Sequence, residues 1–298
     1  MAGVKIFWDP QSFELDSLGD KRYLGPPADG DTPCVRAPIR MLSIDTPETN
    51  YPGVGKPAKS DERLAELAQW LQAGQAPIDD GLSQHLYPRL ATGQAGSLQE
   101  QQGVEAKRVF QQFLDERLTR PGGSRRNVFL YAADEPFDQY GRLLAYMAPY
   151  YSNQELAALN PRDRATFNLL MVESGWAASL VIYPSLPKYQ DLVMFQAAAR
   201  EAVDHQRGAW AEPLLLTGYE WRLCIKLHGV TRKLVAGQRL SSRDRQGWIE
   251  RYGADLTTLE IFKPQDYYRV PPYNRLFIWP GDVTEAVGRL NLTPGGAG

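Results

Sequence analysis

The chain has 298 residues, 43% of them hydrophobic and 23% charged, with a formal net charge of −2. That length holds one large domain or an ordinary domain with a smaller appendage, and the near-neutral balance argues against a non-specific nucleic-acid coat protein, although a local basic patch can still bind. Cys34 and Cys224 are too few for a disulfide framework or a zinc site. No apolar run approaches membrane-spanning length and Met1 to Trp8 lacks the basic flank and apolar core of a signal peptide, so the expectation is no membrane partner and a cytoplasmic location.

Val4 to Trp8 reads as a strand ended by Asp9-Pro10. A loop-rich stretch leads to Asp29-Gly30-Asp31-Thr32, where Asp-Gly is a hairpin turn signal. Only a short excursion separates it from the next strand, which would set Asp31 beside Asp45, and two acids that close repel unless a cation lies between them.

Arg40-Met41-Leu42-Ser43-Ile44-Asp45-Thr46-Pro47-Glu48 carries a short apolar run that Pro47 ends, because proline biases Thr46 to an extended geometry. Two readings of this stretch stand. Asp45 and Glu48 have the spacing of a helix N-terminal capping box. They also gather two hard oxygen donors beside the planar fork of Arg40, a set suited to a divalent metal and a phosphodiester. Arg40 and Asp45 lie an odd number of residues apart and would face opposite sides of a flat strand, so a twist or bulge is required before Pro47.

Asn50 to Gln102 is more than a loop: Leu64, Leu67 and Leu71 recur at helical spacing within Lys59 to Ala73, and Asp80 to Leu90 makes a second helical piece. His85 and His205 show no partner in sequence. After Gly103 the stripe Ala106, Val109, Phe110, Phe113, Leu114 and Leu118 marks a core-facing helix. Val128 to Tyr131 and Leu143 to Met147 read as a hairpin around Asp138-Gln139-Tyr140-Gly141, with Arg142 fixed just after the glycine. Asn153 to Leu159, Asp163 to Ser174 and Gln190 to Gln206 read as helices, and Ser179 to Tyr183 as a strand.

Taken in order, Asp29-Gly30-Asp31-Thr32, Arg40…Asp45-Thr46-Pro47-Glu48-Thr49, Gly103-Val104-Glu105-Ala106, Asp138 to Tyr146, Asn168…Gly175 and Gly208-Ala209-Trp210 resemble the staphylococcal nuclease family across about residues 29 to 210. The resemblance implies an α+β fold with a five-stranded OB-type β-barrel and about three helices, which hydrolyses DNA and RNA with Ca²⁺ and leaves 3′-phosphates. Asp31, Asp45 and the Thr46 carbonyl match the metal ligands. Glu48 matches the base or water-positioning acid, Arg40 and Arg142 the phosphate-binding arginines, and Tyr140 and Tyr183 tyrosines near the nucleotide. Pro33 and the short Asp31 to Arg40 spacing depart from the family, and Val181 stands where a base-contacting tyrosine is common.

The expected organisation is a nuclease-like domain over 1–212, with a helical insertion at 50–102, and a small α/β appendage over 213–298. The insertion begins beside Glu48 and is expected to pack against the barrel and restrict entry to single-stranded or short substrates. Between Tyr219 and Arg251 eight Lys/Arg face three acids, interleaved with Trp221 and Trp248, a composition of either a solvated face or a nucleic-acid surface. Thr257 to Phe262 and Arg275 to Trp279 read as strands and Asp282 to Leu290 as a helix. The alternative function is a non-catalytic OB module that binds nucleic acid or a protein.

Overall fold

A computed structural model of the protein describes residues 21–29, 31–49 and 56–296; the expected strand Val4 to Trp8 and the first residues of the insertion lie outside them. The described residues begin with an antiparallel pair, β1 (Arg22–Tyr23) and β2 (Val35–Arg36), extended by Leu24 N–H donating to Cys34 O at 3.0 Å. β3 (Ile39–Met41) and β4 (Ile44–Asp45) replace the single strand expected here. Between them Ser43 takes a φ of 59°, a left-handed conformation uncommon outside glycine. Ser43 Oγ lies 2.5 Å from the Tyr146 hydroxyl and Asn168 Nδ2 donates to Leu42 O at 2.9 Å, so side chains hold the break in place. The left-handed residue separates β3 from β4 in place of a continuous strand.

Three helices follow: α1 (Pro57–Gln72), with proline in its first turn where a missing N–H costs nothing, α2 (Asp80–Leu90) and α3 (Ala95–Leu118). α3 starts ahead of Gly103, so the insertion runs into the helix expected only after it. Then come β5 (Val128–Phe137), β6 (Leu143–Pro149), α4 (Asn153–Ala158), α5 (Phe167–Glu173), β7 (Ala178–Ser179), β8 (Val181–Ile182) and α6 (Tyr189–Asp204). The last stretch holds α7 (Gly218–Val235), α8 (Ser242–Gln246), β9 (Tyr252–Asp255), β10 (Glu260–Phe262), β11 (Arg275–Ile278), α9 (Val283–Leu290) and β12 (Thr293–Pro294).

The architecture is α+β. Among the described residues the strands lie in four sheets, β1-β2, β3-β6-β5, β4-β7 and β12-β10-β9-β11-β8, and do not close into a barrel. The reason is length: β1, β2, β4, β7 and β8 have two residues each, too short to carry the tilt and shear that closure needs. The five-stranded sheet that does form is built mainly from residues 252–294, with β8 joined in parallel to β11 through Leu276 opposite Val181.

Two compact units are distinguished, Met1–Arg40 with Ala132–Ala145, and Met41–Tyr131 with Tyr146–Gly298. Within the second, Leu64, Leu67 and Leu71 of α1, Leu82, Leu86 and Leu90 of α2, and Leu223, Cys224 and Leu227 of α7 are buried in one cluster. A fully buried leucine contributes about 1.5–3 kcal/mol, so the insertion and the C-terminal helix stabilise each other. His228 adds a second tie, its Nε2 2.7 Å from Glu66 Oε2 and its ring stacked on Trp70 at 5.1 Å. Another cluster joins Ile44 to Ala106 of α3, Met171 and Val172 of α5, and Phe195 and Ala199 of α6. No helix among the described residues is long and apolar enough to cross a membrane.

Candidate active site

The residues singled out from sequence divide between the two units, and each group has its own local geometry. In the first unit Asp31 is exposed in the β1–β2 loop, where Thr32 Oγ1 donates to its Oδ1 at 3.2 Å. Arg40 is half-buried in β3. Arg142 is set by the turn before β6: Gly141 supplies a φ of 67° and its N–H donates to Asp138 O at 2.8 Å. Asp138 Oδ1 accepts from the N–H groups of Tyr140 and Arg142, both at 3.0 Å, while Oδ2 accepts from Arg142 Nε at 2.7 Å. Burial works to raise the Asp138 pKa, and these hydrogen bonds with Arg142 outweigh it and leave it below the usual value. The guanidinium lies 5.3 Å from the centre of the exposed Tyr140 ring. The turn thus holds a planar cation over an aromatic ring.

In the second unit the Asp45-Thr46-Pro47-Glu48 turn is met by a residue that the sequence did not single out for this place. Arg222 of α7 donates through one terminal nitrogen to Asp45 Oδ1 at 2.9 Å and through the other to Glu48 Oε1 at 2.5 Å. The side chains are 2% exposed at Asp45, 21% at Arg222 and 27% at Glu48. This sets the trio apart from surface pairs such as Arg200–Asp204, which contribute little. Burial disfavours the charge on Arg222, and the Asp45 and Glu48 carboxylates outweigh that, lifting its pKa above the ordinary value. The capping-box reading of Asp45 does not hold, since no helix begins there.

Backbone contacts fix the turn from both sides. Gly103 of α3 sits where a Cβ would come within 2.8 Å of the Glu48 carbonyl carbon and 2.9 Å of Thr49 N, so only glycine lets the helix pass so close. Gln99, in the amide orientation that satisfies both neighbours, accepts from Glu48 N–H at 2.9 Å and donates to Leu216 O at 3.0 Å. On the other side Gly218, one helical turn before Arg222 and on the same face, lies against the expected metal ligands. A Cβ there would fall 2.5 Å from Thr46 O and 2.6 Å from Asp45 Oδ2.

The start of α7 is itself anchored. Thr217 and Glu220 form a capping box, with Glu220 N–H donating to Thr217 Oγ1 at 3.3 Å and Thr217 N–H to Glu220 Oε2 at 3.0 Å. Tyr267 donates its hydroxyl to Glu220 Oε1 at 3.2 Å, and His85 Nε2 lies 3.0 Å from the same oxygen. His85, which shows no partner in sequence, therefore supports the helix that delivers Arg222. Tyr183, expected near a nucleotide, is 3% exposed and packed among Val181, Ala254, Leu276 and Ile278, with no ring face offered to solvent.

The oxygen chemistry of Asp45 and the Thr46 carbonyl suits calcium, but the arrangement does not fit one. A guanidinium holds the Asp45 and Glu48 carboxylates, the Gly218 backbone covers Thr46 O, and among the described residues no three His, Cys, Asp or Glu side chains gather around a point where a metal could sit.

The site is a guanidinium-held acidic turn in the second unit of an α+β chain, with an arginine fixed behind a β-turn in the first. The chain belongs to the staphylococcal nuclease family: residues 38–212 match the family described as staphylococcal nuclease homologue. Over 163 residues it is also 25% identical to a protein named endonuclease YhcR from Bacillus subtilis (strain 168), a span of 54% of this chain and 11% of that protein. The chain thus covers only a small part of that relative's length. Arg40, Asp45, Thr46, Glu48, Tyr140 and Arg142 fall inside the family match, while Asp31 and Arg222 fall outside it. The signal for Arg222 was present as Thr217-Gly218-Tyr219-Glu220, a helix-start box that places Gly218 and Arg222 on one face, but nothing in it points to Asp45.

Proposed function

We propose that this protein is a nuclease that hydrolyses phosphodiester bonds of DNA or RNA, single-stranded or short. The observation that carries the reading is the acidic turn Asp45 to Glu48, held rigidly within a span that matches a nuclease family. Glu48 is the more solvent-reachable of the two acids and is suited to accept a hydrogen bond from the attacking water and take its proton. Arg40 and Arg142 offer planar forks to the phosphate oxygens, and for Arg142 the phosphate would compete with Asp138 for the same N–H groups. Tyr140 supplies a stacking face for a base. The preference for thin substrates is part of the proposal, on the ground that α3 packs against the Glu48 backbone at Gly103 and so bounds one side of the turn. No step is routed through calcium, because Arg222 stands against its expected ligands. Cleavage of end-labelled single-stranded DNA and RNA, with Ca²⁺ and with chelator, tests the proposal. Loss of cleavage in Glu48→Gln supports it, and absence of cleavage by the wild-type chain under every condition refutes it.

A second reading is favoured by one observation. Neutralising both acids with a buried arginine is what a binding module that has given up hydrolysis would do. Retained binding of single-stranded nucleic acid without any cleavage would select it.

A further inference from the structure

We propose that the Arg222 guanidinium is the resident cation of the Asp45 and Glu48 carboxylates, delivered by α7, and that a divalent cation reaches these carboxylates only when Arg222 is withdrawn. The proposal concerns the same acidic turn as the nuclease reading. It rests on three placements in the second unit. The guanidinium uses both terminal nitrogens, one on each acid, at 2.9 and 2.5 Å, so each carboxylate already has a positive partner. The Thr46 carbonyl, the remaining ligand expected there, is walled by Gly218, the residue one turn earlier on the same helix. α7 cannot slide away freely, because Leu223, Cys224 and Leu227 are buried in the cluster with α1 and α2 and Glu220 is tied to Thr217 and Tyr267.

Two cations cannot both be accommodated against a carboxylate that is 2% exposed, since like charges repel strongly where solvent is excluded. A guanidinium and a divalent ion therefore compete for Asp45. Removing the arginine alone takes away the guanidinium held on this buried carboxylate, and a bound divalent cation can take its place. α7 lies outside the matched span of 38–212, so the competitor comes from a part of the chain that the family match does not describe.

The test measures binding of Ca²⁺ alone to the full chain by isothermal titration calorimetry, with Tm recorded at each concentration. The expected result is little or no binding by the wild type and by Arg222→Lys, which keeps the charge. Arg222→Gln should tighten Ca²⁺ binding on the order of tenfold or more, because it uncovers a buried carboxylate. The double variant Asp45→Asn, Arg222→Gln should lose that gain. Equal affinity in wild type and Arg222→Gln overturns the proposal, as does a gain that survives in the double variant. If Arg222→Gln does not fold, the wild type decides: a calcium-dependent rise in its Tm that Asp45→Asn abolishes overturns the proposal, and an unchanged Tm supports it. Because the readout is cation binding, a chain that never cleaves nucleic acid would sink the nuclease reading and leave this one standing.

Discussion

Gly218→Ala and Gly229→Ala are the same substitution in the same helix, and the structure gives them opposite signs. Gly229 lies inside α7, where alanine is intrinsically better than glycine by roughly 0.5–1 kcal/mol, and Gly218 is its first residue, where that gain is no larger. At Gly229 an added Cβ meets nothing within 4 Å, so that intrinsic gain should appear undiminished. At Gly218 the methyl group would lie 2.5 Å from Thr46 O and 2.6 Å from Asp45 Oδ2, and the carbonyl belongs to backbone that cannot rotate aside. Forcing extra volume into a packed site typically costs about 1–3 kcal/mol, which exceeds the helix gain. Gly218→Ala should therefore destabilise by about 1–2 kcal/mol net, and Gly229→Ala should stabilise. Urea denaturation followed by tryptophan fluorescence reads both as shifts in midpoint at constant slope. A Gly218→Ala chain as stable as Gly229→Ala would mean that α7 does not press on the Asp45 turn, and the placement of Arg222 would fall with it.

Glu48→Gln should leave the fold intact and lower nucleic-acid cleavage by about 10²–10⁴-fold, the usual contribution of a general base; near-normal turnover would remove Glu48 from the chemistry. Arg142→Lys keeps a charge but loses the fork that binds Asp138, so cleavage should fall while Ca²⁺ titration of the chain is unchanged; a changed calcium affinity would place this arginine at the cation instead. Buried Glu220 works against a desolvation that raises its pKa, yet His85, Arg275 and the Thr217 N–H pull it down to about 2 from 4.5. A depressed acid contributes stability that is full above its ordinary value and lost as pH falls from about 4.5 towards 2, and Glu220→Gln should flatten that part of the Tm-versus-pH curve. An unchanged acid limb would show that Glu220 is not what titrates there. Replacing residues 57–97 with a Gly/Ser linker should abolish cooperative unfolding, because Leu64, Leu67, Leu71, Leu82, Leu86 and Leu90 would leave α7 uncovered; a folded chain with altered substrate preference would instead make the insertion a dispensable lid.

Much of the local structure was legible because it depends on near neighbours. The leucine spacing of α1, the turn at Asp138 to Gly141 and the strand that stops at Pro47 follow from periodicity, a left-handed glycine and a proline, each acting within a few residues. The left-handed residue that divides β3 from β4 was not localised by the sequence, and only the folded chain places it at Ser43. The family followed from the order of short motifs. What the sequence could not reveal is set by contacts between distant segments. Whether short strands close into a barrel depends on which partner each one finds, and β8 finds β11 almost a hundred residues on. The insertion was expected to cover a barrel, but its apolar stripe is satisfied by α7, since a hydrophobic face carries no address. The cation on the acidic pair is the plainest case. Asp45 and Glu48 specify only that some positive partner is required, and it is the tertiary packing of α1, α2 and α7 that makes the partner Arg222.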